Sequence, residues 1–194
     1  MSKEDSKKEE KLDTVAEKFI KTRQILLSGE INKELAEKIN KQLLVLEADS
    51  KDPIYVYIDS PGGDVSAGFA IFDMIRFVNS PVITIGNGLI ASAASLILLA
   101  VPKERRVGFA HSSYLIHQPL VEARGVATDL QIQAEEMAKT KKEINQIISE
   151  QTGKKFAQVE KDTNRDYWLN AEEAVKYGLI GSIVTSRKEL EAIK

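Results

Sequence analysis

The chain has 194 residues, 43% of them hydrophobic, which is enough for one domain with a substantial core and too few for two comfortable ones. Lys and Arg number 27 against 29 Asp and Glu, so there is no basic field to hold nucleic acid. The sequence has no cysteine and only two histidines, which excludes disulfide scaffolds, thiolate metal sites and a histidine-rich metal centre.

The chain opens with MSKEDSKKEEKLD, which is charged and lacks the apolar core of a signal peptide. It reads as a solvated tail over residues 1–22, and the expected compartment is the cytoplasm. Next, IYVYI (Ile54 to Ile58) is a strand by aromatic and β-branched content, SPGGD is a turn, and the stretch from Val65 has helical apolar spacing at Phe69, Phe72, Ile75 and Val78. From Phe77 to Pro102 no residue is charged, which raises a transmembrane helix. Pro81 and the Gly86-Asn87-Gly88 triplet cut the run into a buried strand, VITI, a turn, and a buried helix from about Ala91. That helix is little more than ten residues long, below the roughly 20 needed to span lipid.

YLIH (Tyr114 to His117) is another short strand. Asp129 to Gln151 is the longest helix, opened by a Thr128–Gln131 capping box and closed by Gly153, with Leu130, Ala134, Met137, Ile144 and Ile148 forming one stripe. Asn170 with Glu173 caps a last short helix ending at Gly178. Strands and helices that alternate through short turns predict an α/β fold with a mostly parallel sheet over residues 23–186, followed by a C-terminal tail, 187–194.

The stretch NGLIASAASLILLA, Asn87 to Ala100, carries two serines, Ser92 and Ser95. Buried hydroxyls often only pack, so reactivity needs further support. Ser92 sits at a helix start, where free N–H groups and the dipole favour an oxyanion, and the SPGG glycines follow a strand end where backbone N–H groups can face a ligand. A serine hydroxyl is inert without a base, and only His111 and His117 are available. His117 is the better candidate, because it ends a strand just before Gln118-Pro119, where the chain turns out of the sheet. A carboxylate to hold the imidazole has many applicants, and spacing does not choose among them.

Five blocks, YIDSPGGDVSAG, GLIASAAS, LIHQPL, ATDLQIQAEEM and KDTNRDYWLNAEEAVKYGLI, lie in that order in a match running from about Ile25 to Ile180, and together they resemble the ClpP family of serine proteases. The resemblance implies a crotonase-like spiral of βαβ units with a protruding handle helix, here the one from Asp129. It implies Ser92 as nucleophile, with Ser95 packing, His117 as base and Asp166 as the orienting acid; Asp162, four residues earlier, is the alternative. Gly63 and Ala93 match the backbone donors of the family's oxyanion hole, and no metal is implied. Members form two stacked heptameric rings and degrade unfolded proteins fed by an AAA+ Clp ATPase unfoldase. The chain itself would need no cofactor, because ATP is used by that partner.

Three departures from the family pattern mark a divergent paralogue. The N-terminal block that forms axial pore loops is not recognisable, Val121-Glu122 replaces a glycine pair, and Asn164 replaces an acid before Arg165. Two alternatives accompany the protease reading. One is a weakly active or regulatory ring subunit partnering a sibling ClpP. The other is a crotonase-type acyl-CoA enzyme, whose fold also holds an oxyanion on backbone N–H groups.

Overall fold

The structure, a computed structural model, describes residues 15, 18–120 and 124–193. The expected tail over 1–22 and the Val121-Glu122 pair therefore lie wholly or largely outside the described residues. Seven strands form one sheet: β1 (Gln24–Ser28), β2 (Ile54–Ser60), β3 (Val82–Ala91), β4 (Arg106–Gly108), β5 (Ser113–Ile116), β6 (Tyr167–Asn170) and β7 (Ser182–Ile183). Five of them run in the order β1-β2-β3-β4-β7, all parallel, while β5 pairs with β3 and β6 closes the edge antiparallel to β5. The expected mostly parallel sheet is thus present.

Alternation in IYVYIDS sorts the layers, as the period of a strand requires. Ile54, Val56 and Ile58 join the main core beneath the helices Lys33–Asp49 and Val65–Phe77, while Tyr55 and Tyr57 point to a smaller core of Ile83, Ile85, Val107, Val184 and Leu190. Leu190 belongs to a helix, Arg187–Glu191, whose N-cap Ser186 accepts from the Glu189 N–H. One more helix therefore follows the capped helix Ala171–Tyr177, where Asn170 and Glu173 form the expected capping box.

Two local expectations are corrected. Gly86-Asn87-Gly88 is not a turn between elements, because β3 runs unbroken from Val82 to Ala91. The glycines instead let the strand change partners. On one side Thr84–Gly86 pairs with β4 and Leu89–Ala91 with β5, while on the other β2 pairs with Val82–Gly86 and, after a register shift, again with Ile90. Gly88 has φ +92°, and the Leu89 N–H donates to Asp59 Oδ1 at 3.0 Å, which holds the bend. The Thr128–Gln131 capping box also does not form. The long helix spans Ala127–Thr152, with Val126 at its N-cap and no side-chain cap, so Thr128 already lies inside the first turn.

The charge-free run resolves into β3 and the short helix Ala93–Leu98. Among the described residues no helix is long and apolar enough to cross a membrane.

Candidate active site

Ser92 stands between the end of β3 and the helix Ala93–Leu98, with φ 56° and ψ −121°. Arg23 is the only other non-glycine described residue with positive φ. Such a backbone costs about 1–3 kcal/mol and persists only where the surroundings over-determine it. They do so here. The Ser92 N–H donates to Leu115 O at 2.9 Å, continuing the β3–β5 ladder, and the Ser95 hydroxyl, 2% exposed, reaches Ile90 O at 3.0 Å and Leu115 O at 2.9 Å. A sharp strand-to-helix elbow of this kind lifts a hydroxyl clear of the sheet.

The SPGG loop abuts the elbow. A Cβ on Gly62 would lie 2.7 Å from both Ala91 O and Ser92 Cβ, and one on Gly63 would collide with Ile31 O, so only glycine allows this approach. The Ile31 N–H donates to Gly62 O and the Asp64 N–H to Ile31 O, which leaves the Gly63 N–H without a hydrogen-bond partner among the described residues. The Ala93 N–H, at the first helical position, is equally free. Gly68 lets the helix Val65–Phe77 close on Ala93, whose Cβ would lie 3.2 Å from an added Cβ.

His117 and Asp166 meet through sheet register. The antiparallel β5–β6 ladder pairs Ile116 with Tyr167, so the next residue of one strand faces the preceding residue of the other. His117 Nδ1 lies 3.1 Å from Asp166 Oδ1, with the imidazole 13% and the carboxylate 62% exposed. Asp162, the alternative, is turned elsewhere: Oδ2 accepts from the Tyr177 hydroxyl at 2.9 Å and Oδ1 from Gln158 Nε2 at 2.7 Å. Burial, reinforced by Asp162, pushes the Tyr177 hydroxyl above the usual phenol range. Arg165 forms no ion pair with either aspartate among the described residues.

Ser92 and His117 line one cavity, with apolar walls from Val65, Leu96, Ile116 and Ile144. His117 Nε2 is buried and has no hydrogen-bond partner among the described residues, Ser92 included. His111 is exposed and does not line this cavity.

Sequence reasoning missed the residues that hold Asp166 in place. The Gln118 N–H donates to Thr163 O at 2.6 Å and Gln118 Nε2 to Asn164 O at 2.8 Å, strapping the segment before Asp166 to the end of β5. Thr163 Oγ1 in turn donates towards Asn145 Oδ1, at 2.9 Å, on the long helix. Asn145 and Thr163 are both buried; Asn145 beside Ile144, Ile147 and Ile148 was a signal the sequence offered, whereas Thr163 lies in the charged stretch VEKDTNRD and offered none. Among the described residues no group of three His, Cys, Asp or Glu side chains could hold a metal ion.

The family model for Clp protease matches residues 6–187. The chain belongs to the Clp protease family. ATP-dependent Clp protease proteolytic subunit 2 of Treponema denticola is 59% identical to this Clp protease chain over 179 residues, covering 92% of it and 90% of the relative. Proteolytic subunit 2 of Borreliella burgdorferi is 51% identical over 173 residues, covering 89% and 87%. A solved asparagine-to-aspartate mutant of ClpP1 from Listeria monocytogenes matches with a TM-score of 0.85 and 43% identity, covering 91% of this chain and 99% of that one. The fold is therefore that of ClpP, and this Clp protease chain is a proteolytic subunit and a peptidase. With the family shown, the protease reading stands over the acyl-CoA one.

Proposed function

We propose that the subunit is a serine endopeptidase in which Ser92, His117 and Asp166 act as one unit. Ser92 Oγ attacks the peptide carbonyl while His117 Nε2 takes its proton. Asp166 accepts from Nδ1–H, fixing the tautomer and stabilising the imidazolium that forms. The Gly63 and Ala93 N–H groups receive the oxyanion. The returned proton releases the amine, and water completes hydrolysis of the acyl-serine by the same path in reverse. The apolar cavity beside Ser92 takes the side chain before the cleaved bond. No cofactor enters these steps.

The observation that carries this reading is the 3.1 Å contact between His117 and Asp166 at the end of a ladder whose neighbouring strand delivers Ser92 at positive φ. The Nε2 atom left without a partner fits a base awaiting substrate, since such hydrogen bonds tighten on binding.

The proposal extends to assembly. On the long helix Leu130 and Ile132 are 37% and 55% exposed, and Val126 before it 67%, a surface that a second ring would cover. Two stacked heptameric rings in the cytoplasm, fed unfolded protein by an AAA+ Clp ATPase, are the arrangement we infer; curated relatives named as ATP-dependent support it. Relatives numbered as subunits 2 and 3 favour a second reading, in which the chain works beside a sibling ClpP and is weakly active alone. The test is peptide hydrolysis with light scattering on the same samples. Ser92→Ala and His117→Ala should both abolish turnover while the particle keeps its size. A fully active Ser92→Ala, or a 21.6 kDa species at micromolar concentration, contradicts the proposal.

A further inference from the structure

A second groove adjoins the Ser92 cavity. Gly63 and Val65 form one wall, Met137 and Glu143 of the long helix the other, with Phe69 and Leu120 between. Val65 is shared with the cavity that holds Ser92 and His117. Gly63, a proposed oxyanion donor, is shared with the attack site itself. A peptide whose carbonyl rests at Ser92 therefore lays a flanking residue into this groove.

Two carboxylates line the groove, Asp64 and Glu143, and neither has an ion pair among the described residues. Asp64 is occupied as a helix cap, its Oδ1 accepting from the Ala67 N–H at 2.6 Å. Glu143 is exposed and has no hydrogen bond or ion pair among the described residues. Lys139, one turn earlier on the same helix, is taken by Glu136 at 2.6 Å, and no Lys or Arg among the described residues lines the groove. The lining mixes the apolar Phe69, Met137 and Leu120 with the polar Ser66, Thr140 and the carboxylates, which matches a long basic side chain, its methylenes on the apolar residues and its head at Glu143.

We propose that this groove is a second substrate subsite, selecting Lys or Arg at one position flanking the cleaved bond, with Glu143 as the specificity-determining residue. The inference rests on the serine endopeptidase reading above.

The experiment uses the assembled protein and fluorogenic peptides that keep Leu before the cleaved bond and carry Arg, Gln or Glu at each flanking position in turn. At one position the Arg peptide should exceed the Glu peptide in kcat/KM by about three- to five-fold, the scale of a solvent-accessible ion pair, and mainly through KM. Glu143→Gln should level the series, Glu143→Lys should invert it, and added salt should shrink it. Cleavage of the Gln peptides with no preference between Arg and Glu at any position overturns the subsite alone, as does a preference for Arg that survives in Glu143→Lys. Failure to cleave any peptide overturns the endopeptidase reading and the subsite with it.

Discussion

The two ends of the proposed triad are built in opposite ways. Ser92 is locked by core: β3 beneath it, the buried Ser95 hydroxyl across two strands, and glycines at 62 and 68 admitting backbone and helix to van der Waals contact. Asp166 sits on a surface turn, 62% exposed, and is placed by a sheet register and a few hydrogen bonds through Gln118, Thr163 and Asn145. Strain at Ser92 is stored in a well-packed pocket, whereas orientation of His117 depends on contacts that small changes can loosen. Substitutions at the first end should cost stability, and chemistry as well where they displace Ser92. At the second they should act on chemistry while leaving the fold alone.

The largest effect that separates the two ends is expected from Asp166→Asn. It should lower turnover by up to about 10⁴-fold with little change in thermal stability, because an exposed side chain is being altered. Asp162→Asn should do the reverse, leaving peptide turnover close to normal and costing about 1 kcal/mol in thermal unfolding through Tyr177. If Asp162→Asn is the more damaging to turnover, the orienting role moves to Asp162.

At the buried end, Gly62→Ala forces a Cβ against Ala91 O and Ser92 Cβ from a left-handed backbone. A displacement near 1 Å at Ser92 should cost about 10²-fold in turnover, together with about 1–2 kcal/mol of stability. Normal kinetics in a stable Gly62→Ala protein would mean that the loop is not fixed to the elbow. Ser95→Ala should have the smallest effect: about 1–2 kcal/mol of stability from the lost buried hydrogen bonding, with turnover within a few-fold of normal. A dead but fully stable Ser95→Ala would make Ser95, not Ser92, the reactive serine.

The alternation of strand and helix was readable because β2 and the helix after Val65 carry clean periods of two and 3.6. Ser92 and His117 were readable as candidates from their places at element ends. The meeting of His117 with Asp166 was not readable from spacing, since it arises from a β5–β6 register across 49 residues, and only the family resemblance pointed to it. Glycines at 86 and 88 misled because the same conformational freedom serves a turn or a strand that changes partners. Thr128 and Gln131 misled because a capping pattern one turn too late still looks like a start. Of the apolar stripe, Ile144 and Ile148 pack on the core, whereas Leu130 and Ala134 are exposed and Met137 is only partly covered among the described residues.

The most direct test is covalent. A fluorophosphonate added to the assembled protein and mapped by peptide mass spectrometry should leave one adduct per subunit, on Ser92, and labelling should fall to background in His117→Ala. An adduct on Ser95 or any other residue, or labelling of Ser92 that is indifferent to the loss of His117, would contradict the account.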